Sequence, residues 1–170
     1  MTNPTTQSTS QDLRHAGWRQ GAAVGLVAAI AGTLTLIALG IIAGRGMAIL
    51  AAVGMGPWPS AVHALTGAPP AVSYLLSHTT LYLLAGIIIL AVARAIDRLP
   101  ILLTALMLGA LVIEFGYMYV MTGWQAAGHF DEVTWRSVLL AHLVANLFLV
   151  VGVFRVHPSL RSAFRRADEG

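Results

Sequence analysis

Cysteine is absent from this 170-residue chain, which excludes disulfides, thiolate metal sites and thiol redox chemistry. Lysine is absent as well, so all ten basic residues are arginine. Charge is scarce: 10% of residues are Asp, Glu, Lys or Arg against 57% hydrophobic, too little polar surface for a soluble domain of this length. No phosphate-cradling loop, nucleophile elbow or nucleotide fingerprint is found, and Gly54-x-Gly56 is too short to count as one. The arginines gather at the ends of apolar runs and do not interleave with aromatics. Their placement fits membrane topology and gives no reason to expect a nucleic-acid partner.

What the chain does have is membrane-length apolar sequence, since crossing the hydrocarbon takes about 20 residues of helix. The pattern predicts an all-α polytopic membrane protein, an up-down bundle of four transmembrane helices with spans at about 18–43, 71–96, 100–122 and 132–156. Residues 1–13 are Thr-, Ser- and Gln-rich and are read as a disordered cytoplasmic tail. The transmembrane domain then occupies 14–157, and 158–170 forms a basic cytoplasmic tail. The first apolar run is longer than a signal-peptide core and lacks a small-x-small cleavage site, so it is expected to stay in the membrane.

Residues 44–70 form the longest connection and are mostly apolar, with Pro57 and Pro59 around Trp58 breaking any long helix. Short interfacial helices are expected in this first external loop, with Trp58 at headgroup level. Pro69-Pro70 opens the second span, Gly123 closes the third, and Asp131 is placed to cap the fourth. Eight arginines fall on one side of this topology and only Arg45 and Arg136 on the other. Both termini are therefore expected in the cytoplasm, and the location expected is the inner cell membrane.

Three ionisable residues lie inside the spans: His78, Glu114 and His142. At 1.5 Å of rise per residue all three sit about 10–13 Å from the outer boundary, so an up-down bundle would converge them in its core. Thr33 and Thr35 match that depth on the first span. Helical spacing adds Tyr74 and Tyr82 to the His78 face, Tyr117 and Met121 to the Glu114 face, and Asn146 to the His142 face. The expected site is therefore His78, Glu114 and His142, with Thr35, Tyr82, Tyr117 and Asn146 as a supporting polar layer. It would open toward the outside, because the inner half of each span is aliphatic.

Intramembrane ionisable groups are expensive and usually functional. Two imidazoles and a carboxylate make a ligand set for a transition metal, and His78 with His142 would also suit the axial positions of haem b. On that basis the chain reads as a redox or metal-handling membrane protein, although the Glu-x-x-His pairs of di-iron bundles are missing. Two alternatives stay open, a non-catalytic accessory subunit of a larger membrane complex and a small proton-coupled transporter. In either case the partners are the bilayer and other membrane subunits or further copies of the chain. On the external face, His63, His129, Asp131 and Glu132 form a weaker candidate metal-entry site. Finally, Gly21-x-x-x-Gly25 with Ala28, Ala29 and Gly32 makes a small-residue stripe suited to close helix packing inside the bundle.

Overall fold

Long apolar runs free of internal proline fold as long helices, since in lipid only internal hydrogen bonds satisfy the backbone. The computed structural model describes residues 5–96, 112, 115–117, 119–128 and 131–156. Five helices follow in order: α1 (Thr5–Ile42), α2 (Ala48–Val53), α3 (Pro57–Thr66), α4 (Pro70–Ile96) and α5 (Glu132–Val156). Residues 119–126 are helical too, and no strand occurs among the described residues. Among the described residues three helices are long and apolar enough to cross a membrane, with spans Gly17–Ile42, Pro70–Ala93 and Val133–Val156. Their outward faces carry aliphatic side chains such as Leu26, Ile30, Leu81, Ile88, Leu143 and Leu147, the arrangement expected of helices solvated by lipid.

Helix α1 lies between α4 and α5, which barely touch each other. Glycine makes the α1–α4 contact this close. A Cβ on Gly21 would lie 2.8 Å from both the Gly86 carbonyl oxygen and the Ile87 Cα, and one on Gly25 would collide with the Tyr82 carbonyl. The small-residue stripe therefore packs inside the protein, backbone against backbone, and the pairs 21/86 and 25/82 make the two helices antiparallel. On the other side Val24 meets Gly152 and Gly32 meets Ala145, so α5 also runs antiparallel to α1.

The end of α1 is set by local chemistry. Gly44 adopts a left-handed conformation at φ 72°, with Gly44 N–H bonded to the Ile41 carbonyl at 3.0 Å and Arg45 N–H to the Gly40 carbonyl at 2.8 Å. This is a Schellman closure, and it fixes Arg45 just past the helix end. Two short helices then occupy the connection. Proline initiates the second of them, because Pro57 stands in the first turn of α3, where a missing N–H is not needed. At the start of α5, Asp131 Oδ1 accepts the Thr134 N–H at 2.7 Å, an N-cap on the third helical residue.

Two boundaries differ from the sequence reading. Helix α1 runs back to Thr5, through most of the stretch read as a tail, because adding residues to an existing helix avoids the cost of nucleation. Near the third span, helical residues continue past Gly123 to residue 126, and the left-handed glycine is Gly128 at φ 79°. Among the described residues nothing lies within 4 Å of a Cβ built on Gly123. Most of the third span, 100–111 with Glu114, lies outside the described residues, as do His129 and the basic tail 158–170.

Two apolar clusters form the interior. One joins Val24, Ala28, Leu90, Ala145, Leu149 and Val153 toward the Trp18 end of α1. The other joins Leu36, Ile49, Leu50, Val138 and Met121 toward the Arg45 end. The polar side chains lie at their junction.

Candidate functional site

Helical spacing on α4 brings Tyr74, His78 and Tyr82 onto one face, four residues apart. Their rings form a ladder, with centroids 5.1 Å apart between Tyr74 and His78 and 4.8 Å between His78 and Tyr82. At the foot of the ladder the Tyr82 hydroxyl donates to Asn146 Oδ1 at 3.0 Å and lies 3.1 Å from His142 Nδ1. A phenol has one proton to give. With that proton directed at Asn146, the oxygen is left to accept from His142 Nδ1. The result is a directed chain, His142 Nδ1–H to Tyr82 O–H to Asn146 Oδ1, linking α4 and α5.

Tyr117 joins from the segment before α5, its ring stacked on His142 with centroids 4.2 Å apart and planes 19° from parallel. Met121, one turn on, is buried in the apolar cluster that also holds Leu36 and Tyr74. Four side chains of the expected polar layer thus meet: His142, Tyr82, Asn146 and Tyr117.

His78 points between α1 and α5. Its Nε2 would lie 3.1 Å from a Cβ on Gly32, so the missing side chain of Gly32 makes room for the imidazole. The Ala29 carbonyl lies near the ring without closing a hydrogen bond to Nε2, which is buried and has no partner among the described residues. Leaving a buried polar atom unpaired costs about 1–3 kcal/mol, so this nitrogen is a natural place for an added ligand.

Thr35 does not belong to this layer. Its hydroxyl donates to the Ala31 carbonyl one turn back at 2.8 Å, and the side chain lines an outward-facing groove with Leu34 and Phe148. Thr33 takes the position instead, with its hydroxyl reaching the Tyr74 phenol. Depth along a helix is legible from counting, but two residues of separation turn a side chain through roughly 200°, and counting does not say which one faces inward.

The external candidates do not assemble as a metal-entry site among the described residues. His63 Nδ1 is engaged by the Ala68 carbonyl at 2.6 Å, which closes the turn after α3. Asp131 pairs with Arg45, whose other nitrogen donates to the Thr134 hydroxyl at 2.9 Å. Glu132 supplies the first residue of α5, and His129 lies outside the described residues. No group of three metal-ligating side chains occurs among the described residues. For haem, the fit is poor on packing grounds. The Tyr82 ring contacts both imidazoles, in the space a porphyrin would need between them, and Tyr117 covers one face of His142. Sequence reasoning missed the Arg45–Asp131 pair, and no local signal could have found residues 86 apart in the chain. No family model, curated protein or solved structure matches this chain.

Proposed function

We propose that the protein is a small polytopic membrane protein that binds and releases a proton within its bundle, with His142 as the acceptor and Tyr82 as the group that couples it to the helix interface. The observation that carries this reading is the directed chain from His142 through the Tyr82 hydroxyl to Asn146. Intramembrane imidazoles with phenolic neighbours are among the groups that proton-handling membrane proteins use. Protonation of the His142 ring would turn a neutral donor to Tyr82 into a charged one and strengthen that bond. The energy of the helix interface would then depend on the proton, as proton-coupled movement of a substrate requires.

Four crossings fit this reading better than three. Met121 belongs to the same buried cluster as Tyr74, whereas Ile96 ends α4 about 33 Å further along the helix by the usual rise, which supports a return crossing between them. The arginine-rich side of the bundle is assigned to the cytoplasm and the Arg45–Asp131 side to the exterior.

The test is proton uptake by the protein in vesicles after a pH jump, read with a dye, beside histidine 15N spectra across the same range. Proton uptake is expected in the wild type and its loss in His142→Gln, with Tyr82→Phe shifting the His142 resonances. Identical uptake in wild type and a folded His78→Gln/His142→Gln variant would overturn the reading.

A second reading has one observation in its favour, the unpartnered His78 Nε2, which a transition metal could take with His142 and the sequence candidate Glu114 as further ligands. Metal analysis of protein purified without chelator, together with thermal stability on adding Zn2+ or Ni2+, decides it. Substoichiometric metal and an unchanged melting temperature dismiss it.

A further inference from the structure

On the face of the bundle where α1 meets α5, an outward-open groove of about 380 Å³ runs between the helices, lined by Val27, Ile30 and Leu34 on one wall and Val144 and Phe148 on the other. Its volume falls within the range of ligand pockets, about 300–1,000 Å³, while its lining is almost wholly apolar. An apolar groove on a membrane protein will hold acyl chains of some kind. What gives this one a preference is the charge at one end.

Follow the α1 wall toward the N-terminus. Ile30, Leu26, Ala23 and Arg19 are separated by four, three and four residues, so after eleven residues Arg19 stands within about 20° of Ile30 on the same face, about 16 Å away. On the α5 wall Val144, Phe148, Val151 and Arg155 are spaced by four, three and four as well, which puts Arg155 the same distance from Val144 on the same face. The two helices are antiparallel, so the two arginines lie beyond the same end of the groove. Both are exposed. Trp18 lies against Arg19, with the guanidinium 5.9 Å from its ring centroid, and tryptophan of this kind marks headgroup level. The offset of about 16 Å matches the depth of one leaflet, half of a hydrocarbon core about 30 Å thick.

We propose that this groove is a binding site for one anionic phospholipid. Its phosphate lies between Arg19 and Arg155 and one acyl chain runs inward along Ile30 and Phe148. The site is independent of the proton-binding residues, which face the interior of the bundle.

The experiment is native mass spectrometry of the full chain released from nanodiscs containing equal amounts of phosphatidylglycerol and phosphatidylcholine. The expected result is one retained phosphatidylglycerol per chain. Juxtamembrane basic residues near an anionic surface are each worth about a fivefold preference, so the selectivity over phosphatidylcholine should approach 25-fold, falling toward parity in Arg19→Gln/Arg155→Gln and weakening as salt is raised. Ala31→Phe, which fills the groove and leaves both arginines in place, should reduce retention of either lipid. Three results overturn the proposal: equal retention of the two lipids by the wild type, a preference that survives both arginine substitutions and high salt, or a lipid-free dimer abolished by Ala31→Phe. The last would mean that a second copy occupies the groove. Should the double arginine variant fail to fold, the salt series on the wild type still decides the electrostatic claim.

Discussion

Single atoms decide most at Tyr82. Tyr82→Phe removes one oxygen and with it both hydrogen bonds described above, while the ring still fills its place against the apolar cluster. The expected loss is about 1–3 kcal/mol in a denaturation measurement in mild detergent, the cost of leaving buried polar partners unsatisfied. A second residue-scale prediction concerns Asp131. Its carboxyl is held below the usual range first by the Thr134 N–H it accepts and then by the Thr134 hydroxyl and the Arg45 guanidinium, with partial desolvation opposing them. A folded-state value below the unfolded one stabilises above the ordinary carboxylate range, and that stabilisation is lost as acid protonates the folded form. Asn caps helices as well as Asp but carries no charge. The melting temperature of the wild type should therefore exceed that of Asp131→Asn at neutral pH by a small margin, since the pair is exposed, and the two curves should merge well below about pH 4. A constant gap down to the most acid point would remove the charge from the account.

At the scale of elements, the glycine crossing between α1 and α4 is the most sensitive contact. Gly25→Ala sets a methyl group against the backbone of Tyr82 and Leu83, which cannot yield as a flexible side chain would. The crossing has to open, at an expected cost of about 1–3 kcal/mol or more. Gly123→Ala is the internal comparison, because a Cβ there meets open space in a helical stretch. It should be neutral or stabilising by up to about 1 kcal/mol. Comparing the folded yields and unfolding midpoints of the two variants checks the assignment, and equal damage from both would contradict it.

For the molecule as a whole, both termini are expected on one side of the membrane. Reporter fusions at each end, one active only in the cytoplasm and one only outside, should agree, and opposite readings would argue for an odd number of crossings. Much of this architecture could be read from the sequence. The second and fourth spans were expected at about 71–96 and 132–156, and the helices run Pro70–Ile96 and Glu132–Val156, because proline at the start of one and a capping aspartate at the start of the other act locally. Spacing also placed Tyr82 with His78, and Asn146 with His142, since a shared face needs only the helical period. What it could not supply was rotation of one helix against another. That is why Thr33 and Thr35 were indistinguishable by depth, and why the Tyr82 hydroxyl could not be foreseen as a meeting point of α4 and α5. The pairing of Arg45 with Asp131 was hidden for the same reason.

One helix is the common neighbour of two others that scarcely meet, and this bears on how the protein is made. Chains are threaded into membranes from the amino terminus, so α1 enters the bilayer before either helix that leans on it. Its glycine groove is then a docking template waiting for α4, and α5 arrives last on the opposite flank. A chain severed between Arg45 and Ala48 should consequently reassemble when its two fragments are co-expressed, whereas the larger fragment alone would lack the helix against which both α4 and α5 pack.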